Sequence, residues 1–239
     1  MKILALDTSG QHASAAILAN TREDYARHGK AQTEVIGEIS LNAKQSEKAY
    51  THSEILMPSV DKLFELTGQK REDITHIAYT CGPGSFTGLR IGASTALGLA
   101  RALGIQAIAV PTLDALAYNV FGIGYKGDVC PLMDARRGQV YFALFDSGFR
   151  KVYDYEALSA DSLLPKLRGD TLIIGDGGAI LSNRSFADGN KSIVFASTHF
   201  NFVRASSVGL WASHNLNIEN EKMIYVRTPQ AVREASNGC

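Results

Sequence analysis

The 239-residue chain has no surplus of charge: 24 lysines and arginines balance 24 aspartates and glutamates. A protein that holds nucleic acid unaided ordinarily carries a basic excess, because neutralising phosphates drives that binding, so RNA binding by this chain alone is expected to be weak. Cysteine is scarce. Cys81, Cys130 and Cys239 stand far apart and are odd in number, which argues against a disulfide framework and fits a reducing, cytoplasmic setting. Near the N-terminus the apolar run is only Ile3-Leu4-Ala5-Leu6, too short for a signal core or a membrane span. The six histidines, at 12, 28, 52, 76, 199 and 214, are scattered, so no metal site is expected. No segment is low in complexity. No lysine follows the one dense glycine run, which excludes the P-loop pattern.

That run is Cys81-Gly82-Pro83-Gly84-Ser85-Phe86-Thr87-Gly88-Leu89-Arg90-Ile91-Gly92. Residues 76–80 before it read as a buried strand, and residues 93–104 after it, rich in Ala and Leu, as a helix. Gly82 and Gly84 allow positive φ and a close backbone approach, Pro83 stiffens the turn, and Thr87 is placed to cap the helix. Two readings stand. A tight turn with close helix packing asks for nothing further, and a glycine run alone favours it. A helix opening with free N–H groups is also an anion site, which would make Gly82, Gly84 and Ser85 phosphate binders. Gly88, Gly92, Ala96 and Ala100 recur every four residues on one helical face, a groove that suits either the chain's own sheet or a helix of another chain.

Around the run, residues 2–6 and 12–19 read as a hairpin with Asp7-Thr8-Ser9-Gly10 at its turn. Residues 20–33 read as a polar connection and 34–41 as a third strand. Thr51-His52-Ser53-Glu54 has the spacing of a capping box, so a helix over 51–67 should stop at Gly68. Leu56, Val60, Leu63 and Thr67 form its stripe, Met57 and Phe64 lie beside it, and Pro58 is expected to kink it. A fifth strand over 105–110 leads to a helix with Thr112 at its cap and Leu113, Leu116 and Ala117 on its core face. The theme then repeats less completely. Strands 129–133 and 139–146 join at Asp134-Ala135-Arg136-Arg137-Gly138. A third strand covers 150–158 and Asp161 caps a short helix. Strand 171–174 enters a glycine turn at 175–178 that holds Asp176, and strand 192–196 and a last helix over 204–217 follow. This order predicts an α/β fold of two tandem halves with mixed sheets, 1–110 and 111–239, the last helix packing back on the first half. Hairpins of this kind open the actin-like, sugar-kinase-like (ribonuclease H-like) ATPase fold, where the Asp lies near nucleotide phosphate and Mg²⁺. Asp and Ser are equally ordinary turn formers.

The eleven residues Gly82 to Gly92 resemble the signature of the bacterial TsaB (YeaZ) family, whose members serve in making threonylcarbamoyl-adenosine in tRNA. Three further stretches resemble that family in the same order: His52-Ser53-Glu54-Ile55-Leu56-Met57-Pro58; Met133-Asp134-Ala135-Arg136-Arg137 with Val140-Tyr141; and Tyr225-Val226-Arg227-Thr228-Pro229. Residues 20–33 and 183–191 match no pattern. The catalytic paralogue, TsaD, binds its metal with two histidines on the matching helix. Here His52 has no second histidine one turn on, which supports a chain without a metal.

The resemblance implies a non-catalytic subunit, with no cofactor, that pairs with a TsaD-type catalytic subunit joined by a TsaE-type ATPase. The complex modifies N6 of the adenosine next to the anticodon, and tRNA is met only through it. On this reading Asp7, Thr8, Ser9, Gly82, Gly84, Ser85 and Asp176 are at most a vestigial nucleotide site, with no catalytic residue. The partner surface, which a homodimer could borrow, is expected at Leu56, Met57, Val60, Phe64, Gly88, Gly92, Ala96 and Ala100, two helices meeting their counterparts as a four-helix bundle. A competing class is a catalytic actin-like ATPase or transferase, with Asp7 and Thr8 at Mg²⁺, the 82–84 loop at phosphate and Asp176 as base. No constellation of cations clamps a γ-phosphate to support it. A metallopeptidase is weaker still, lacking the metal ligands.

Overall fold

The computed structural model describes residues 1–21, 32–43, 50–181, 192–216 and 222–226. Its first sheet is ordered β3-β2-β1-β4-β5, from Lys2–Asp7 (β1), His12–Thr21 (β2), Gln32–Asn42 (β3), His76–Thr80 (β4) and Gln106–Val110 (β5). Strand β1 pairs antiparallel with β2 and parallel with β4; β2–β3 is antiparallel and β4–β5 parallel. The second sheet is ordered β10-β9-β6-β7-β8, from Asp128–Asp134 (β6), Gln139–Phe145 (β7), Lys151–Ser159 (β8), Thr171–Ile174 (β9) and Ile193–Phe195 (β10). Its pairings repeat the first: β6–β7 and β7–β8 antiparallel, β6–β9 and β9–β10 parallel. The expected pair of tandem mixed-sheet halves is therefore present, each with its first strand in the middle.

Strands β1 and β4, in the middle of the first sheet, are buried at nearly every position because both faces are covered there. Alternate residues serve opposite cores. Leu4, Leu6, Ile17, Ile77 and Tyr79 meet helices His52–Thr67 (α1) and Phe86–Leu103 (α2). Ile3, Ala5, Leu18, Ala78 and Ile108 meet helices Thr112–Ala117 (α3) and Ala205–His214 (α5), in a core shared with Val129, Met133 and Phe145 of the second sheet. The far face of that sheet buries Leu132, Phe142 and Leu144 against Leu163 of the short helix Ala160–Leu163 (α4). Helix α5, late in sequence, lies on the first sheet: Ala205 N–H donates to Ser14 Oγ at 3.1 Å, and a Cβ on Gly209 would stand 2.2 Å from Leu18. A polar bridge also ties helix α3 to the second sheet. The Tyr155 hydroxyl on β8 donates to Asp114 Oδ1 on α3 at 2.7 Å, and Lys151 Nζ stands 3.4 Å from the same oxygen. No helix among the described residues is long and apolar enough to cross a membrane.

Several boundaries depart from the sequence reading. Helix α1 begins as expected: Glu54 Oε2 accepts the Thr51 N–H at 2.8 Å, and Gly68 ends the helix at φ 64°. It runs on through Pro58. Helix α2 starts at Phe86 rather than after Thr87, because Ser85 is the cap and its Oγ accepts the Gly88 N–H at 3.3 Å. Thr112 is the first residue of α3, not its cap, since its hydroxyl accepts the Gly82 N–H at 3.1 Å. Ser159, not Asp161, caps α4. Strands β2 and β3 extend into the expected polar connection, to Thr21 and from Gln32, and the last helix stops at His214. The rest of that connection, residues 183–191 and residues 227–229 of the terminal motif lie outside the described residues.

Candidate functional site

Two hairpin turns, one from each half, face each other across a cleft. The first follows β1. Asp7 is buried, and its Oδ1 accepts the Ser9 N–H at 3.0 Å and the Thr80 hydroxyl at 2.8 Å. Burial pushes its carboxyl up to about 6 despite those hydrogen bonds. Thr8 is fully buried and its hydroxyl donates to the Gly88 carbonyl at 2.7 Å. That contact explains two small residues of α2. A Cβ on Gly88 would lie 2.0 Å from the Thr8 carbonyl oxygen, and one on Gly92 would lie 2.5 Å from Thr8 Oγ1.

The glycine run closes over this turn and spends its own donors in doing so. Cys81 N–H donates to the Val110 carbonyl at 2.9 Å, Gly82 N–H to Thr112, and Ser85 N–H to the Ser9 carbonyl at 2.7 Å. Gly82 sits at φ 116°, and any side chain there would collide with the carbonyl of Ile224, 2.2 Å from its Cβ position. The stretch 222–226 lies across the loop, with Ile224 N–H donating to the Cys81 carbonyl at 2.7 Å. Burial holds the Cys81 thiol protonated, pushed up to about 12, so it is no nucleophile. The run is a packed turn, the plainer of the two readings.

The second turn follows β6. Asp134 Oδ1 accepts the Arg136 N–H at 2.7 Å, Ala135 N–H donates to the Gln139 carbonyl at 2.9 Å, and Gln139 N–H to the Arg136 carbonyl at 3.2 Å. Asp176, just past β9, accepts the Asp134 N–H at 3.0 Å. Arg136 and Arg137 both lie in the left-handed region, at φ 66° and 56°.

Between the turns is a cavity of about 430 Å³, closed on one side by Ile224, Tyr225 and Val226. Of the seven residues expected at a nucleotide site, Ser9, Gly84, Ser85 and Asp176 line it. Asp7 and Asp176 line a neighbouring cavity of about 180 Å³. Thr8 and Gly82 line neither and serve packing. The reading from sequence missed Arg136, Arg137, Tyr141 and Tyr225 as cleft residues. Their motifs were visible, but nothing in a linear pattern says that the second hairpin and the tail meet the first. Among the described residues no group of three His, Cys, Asp or Glu side chains could hold a metal ion.

The expected partner surface needs correction. Leu56, Val60, Phe64, Gly88, Gly92, Ala96 and Ala100 are all buried within this one chain. Only Met57, 37% exposed, faces outward. The small-residue stripe faces Thr8 and the chain's own first sheet, so it is no open groove. The outer faces of α1 and α2 carry instead Met57 and Leu66, and Phe86 and Leu97, with Arg90 stacked 3.9 Å above the Phe86 ring.

A family model described as TsaD, tRNA N6-adenosine threonylcarbamoyltransferase, matches residues 34–164. The chain is 39% identical to the tRNA threonylcarbamoyladenosine biosynthesis protein TsaB of Bacillus subtilis, over 61% of this chain and 55% of that protein. It is 25% identical to TsaB of Haemophilus influenzae over 95% of this chain and 94% of that one. Among solved structures, YeaZ from Pseudomonas aeruginosa has the same fold, with a TM-score of 0.68 and 23% identity over 94% of this chain and 99% of that one.

Proposed function

This chain belongs to the TsaB (YeaZ) family, and we propose that it acts there as a non-catalytic subunit in the threonylcarbamoylation of N6 of the tRNA adenosine next to the anticodon. It binds and activates a TsaD-type catalytic subunit, a TsaE-type ATPase joins them, and tRNA is met only through the complex. The observation that carries this reading is how the first half uses its polar groups. The acid, hydroxyl and loop N–H groups that an ATPase would turn toward nucleotide are bonded to one another or to the backbone, at Asp7, Thr8, Gly82 and Ser85. Among exposed charged residues such as Asp61, Lys62, Glu65 and Arg90, its two helices also present apolar side chains outward: Met57 and Leu66 on α1, 37% and 67% exposed, and Phe86 and Leu97 on α2, 37% and 44% exposed. Exposed apolar residues on two adjacent helices suit a partner helix pair. A homodimer of the lone chain would use the same face.

Co-expression with a TsaD-type subunit tests the reading. A complex is expected on size exclusion, and Met57→Arg together with Leu97→Arg should abolish it while the melting curve stays that of the wild type. A complex that survives both arginines would overturn the surface. Turnover of ATP, or of threonylcarbamoyl-adenylate onto tRNA, by the chain alone would overturn the non-catalytic role.

A further inference from the structure

Residues 222–226, beyond helix α5 in sequence, reach back to the opening of helix α2. We propose that this segment is a strap belonging to the partner surface, that its Tyr225 ring extends the exposed edge of α2, and that the partner helix it meets carries acids set among apolar side chains. Resting on the subunit role proposed above, this names the segment and the charge pattern that the partner meets.

Three observations carry it. The first is how the strap is held. Ile224 N–H donates to the Cys81 carbonyl at 2.7 Å, and Met223 and Ile224 pack against the core beneath α1 and α2. Gly82 has no side chain to keep the strap off, for a Cβ there would lie 2.2 Å from the Ile224 carbonyl oxygen. The second is what the strap places. The Tyr225 ring lies 5.8 Å from that of Phe86, and the two residues are 44% and 37% exposed. Phe86 is the first residue of α2, and Arg90, Leu97 and Arg101 follow it within an arc of about 60° around the helix, all exposed. Tyr225 therefore continues one outward stripe of α2 past its first turn. Aromatic and arginine side chains are the commonest anchors of a protein interface. A partner that covers both rings binds best with the strap seated, so strap and partner stabilise each other. The third is charge. Helix α2 contains Arg90 and Arg101 and no acid, and no ion pair joins either arginine to an acid among the described residues. The acids of neighbouring α1 are already engaged, Asp61 by Arg71 at 2.8 Å, Glu65 by Lys62 at 2.7 Å and Glu54 by the Thr51 N–H at 2.8 Å. A second copy of this chain would bring these arginines no free acid. The occupant that fits is a helix of the TsaD-type subunit whose acids face Arg90 and Arg101.

The test is the affinity of the full chain for a TsaD-type subunit, read by calorimetric titration at low and high salt. Tyr225→Ala should weaken the complex by about tenfold or more, while its melting curve stays that of the wild type because the residue is 44% exposed. Ile224→Asp unseats the strap and should weaken the complex as much. Adding Tyr225→Ala to Ile224→Asp should cost little more, because both act through one segment. Should Ile224→Asp melt early, Tyr225→Ala alone decides. The wild-type complex should weaken as salt rises, and Arg90→Glu with Arg101→Glu should weaken it at low salt and reverse that trend. A wild-type complex that is indifferent to Tyr225→Ala, or full additivity in the double variant, would overturn the strap and leave the subunit role standing. A wild-type affinity that does not move with salt would overturn the acidic partner helix. Loss of self-association in Tyr225→Ala with the complex intact would overturn the choice of partner. No complex with the wild-type chain would overturn the subunit role and this inference with it.

Discussion

In each half the first strand ends in an aspartate whose Oδ1 accepts the N–H two residues on, Asp7 from Ser9 at 3.0 Å and Asp134 from Arg136 at 2.7 Å. The two turns then part company. Asp7 is 1% exposed and closed in by the loop that follows β4, whereas Asp134 is exposed beside two arginines. The cause lies after the fourth strand of each half. Strand β4 leads through the glycine run into 18 residues of helix, whose small residues let loop and turn lie in contact. Strand β9 leads into a single 3₁₀ stretch, Asp176–Ile180, too short to cover the facing turn. One topology thus places an acid at the same point twice, and the length and side-chain size of the next helix decide whether water reaches it.

The harshest way to break this contrast is Ala96→Arg, in the sealed half. Ala96 is fully buried. An unpaired guanidinium there costs about 3–5 kcal/mol, close to a domain's whole stability. Circular dichroism should find the cooperative melting transition lost or lowered by tens of degrees. A wild-type melt would mean that the stripe is open after all.

Asp7→Asn comes next, with the opposite sign. Burial raises the Asp7 carboxyl from 3.8 to about 6, so the folded chain holds that proton more tightly than the unfolded chain does. This group's contribution is therefore most favourable below about pH 4, falls as pH rises toward 6, and above that amounts to a penalty of about 3 kcal/mol. Asparagine keeps the oxygen that accepts from Ser9 and Thr80 and has no charge to bury. Urea unfolding near pH 8 should find the variant more stable, by up to that amount, and the difference should shrink toward pH 4. Equal stability near pH 8 would count against the dry turn.

Tyr155→Phe tests the bridge between helix α3 and the second sheet. It removes the 2.7 Å hydrogen bond to Asp114 and leaves a mostly buried carboxylate short of a donor. A loss of about 1–2 kcal/mol is expected in urea unfolding. The smallest effect sharpens the comparison through the helix caps. Ser85→Ala should cost about 1 kcal/mol, because an 18-residue helix depends on that cap. Ser159→Ala, ahead of a four-residue helix, should cost a few tenths. Equal losses would remove the asymmetry.

Much of the fold was legible. Strands β4 and β9 and helix α1 stood out because local signals agreed: apolar β-formers for the strands, a capping box and a closing glycine for the helix. The cap of α2 was not, since Ser85 and Thr87 are both good caps and only the backbone decides between them. The stripe Gly88, Gly92, Ala96, Ala100 was visible, yet its use was not. Small residues at helical spacing say that something comes close, and they do not say whether it is Thr8 of the same chain or a helix of another.

The sequence by itself determined the order of elements, the two-half plan, the place of the glycine turn and the family, because periodicity, caps and a long motif are local properties of the chain. Only the tertiary structure decided which polar groups remain available. Thr8 and Gly88 of the glycine loop are eighty residues of chain apart, yet the Gly88 carbonyl accepts the Thr8 hydroxyl. Arg136 and Arg137 face a cavity whose other walls come from residues 9–11, 84–86 and 224–226. Hydrogen-bond satisfaction and burial depend on neighbours in space, and those neighbours exist only once both sheets, with helix α5 laid back across the first, have closed on one core.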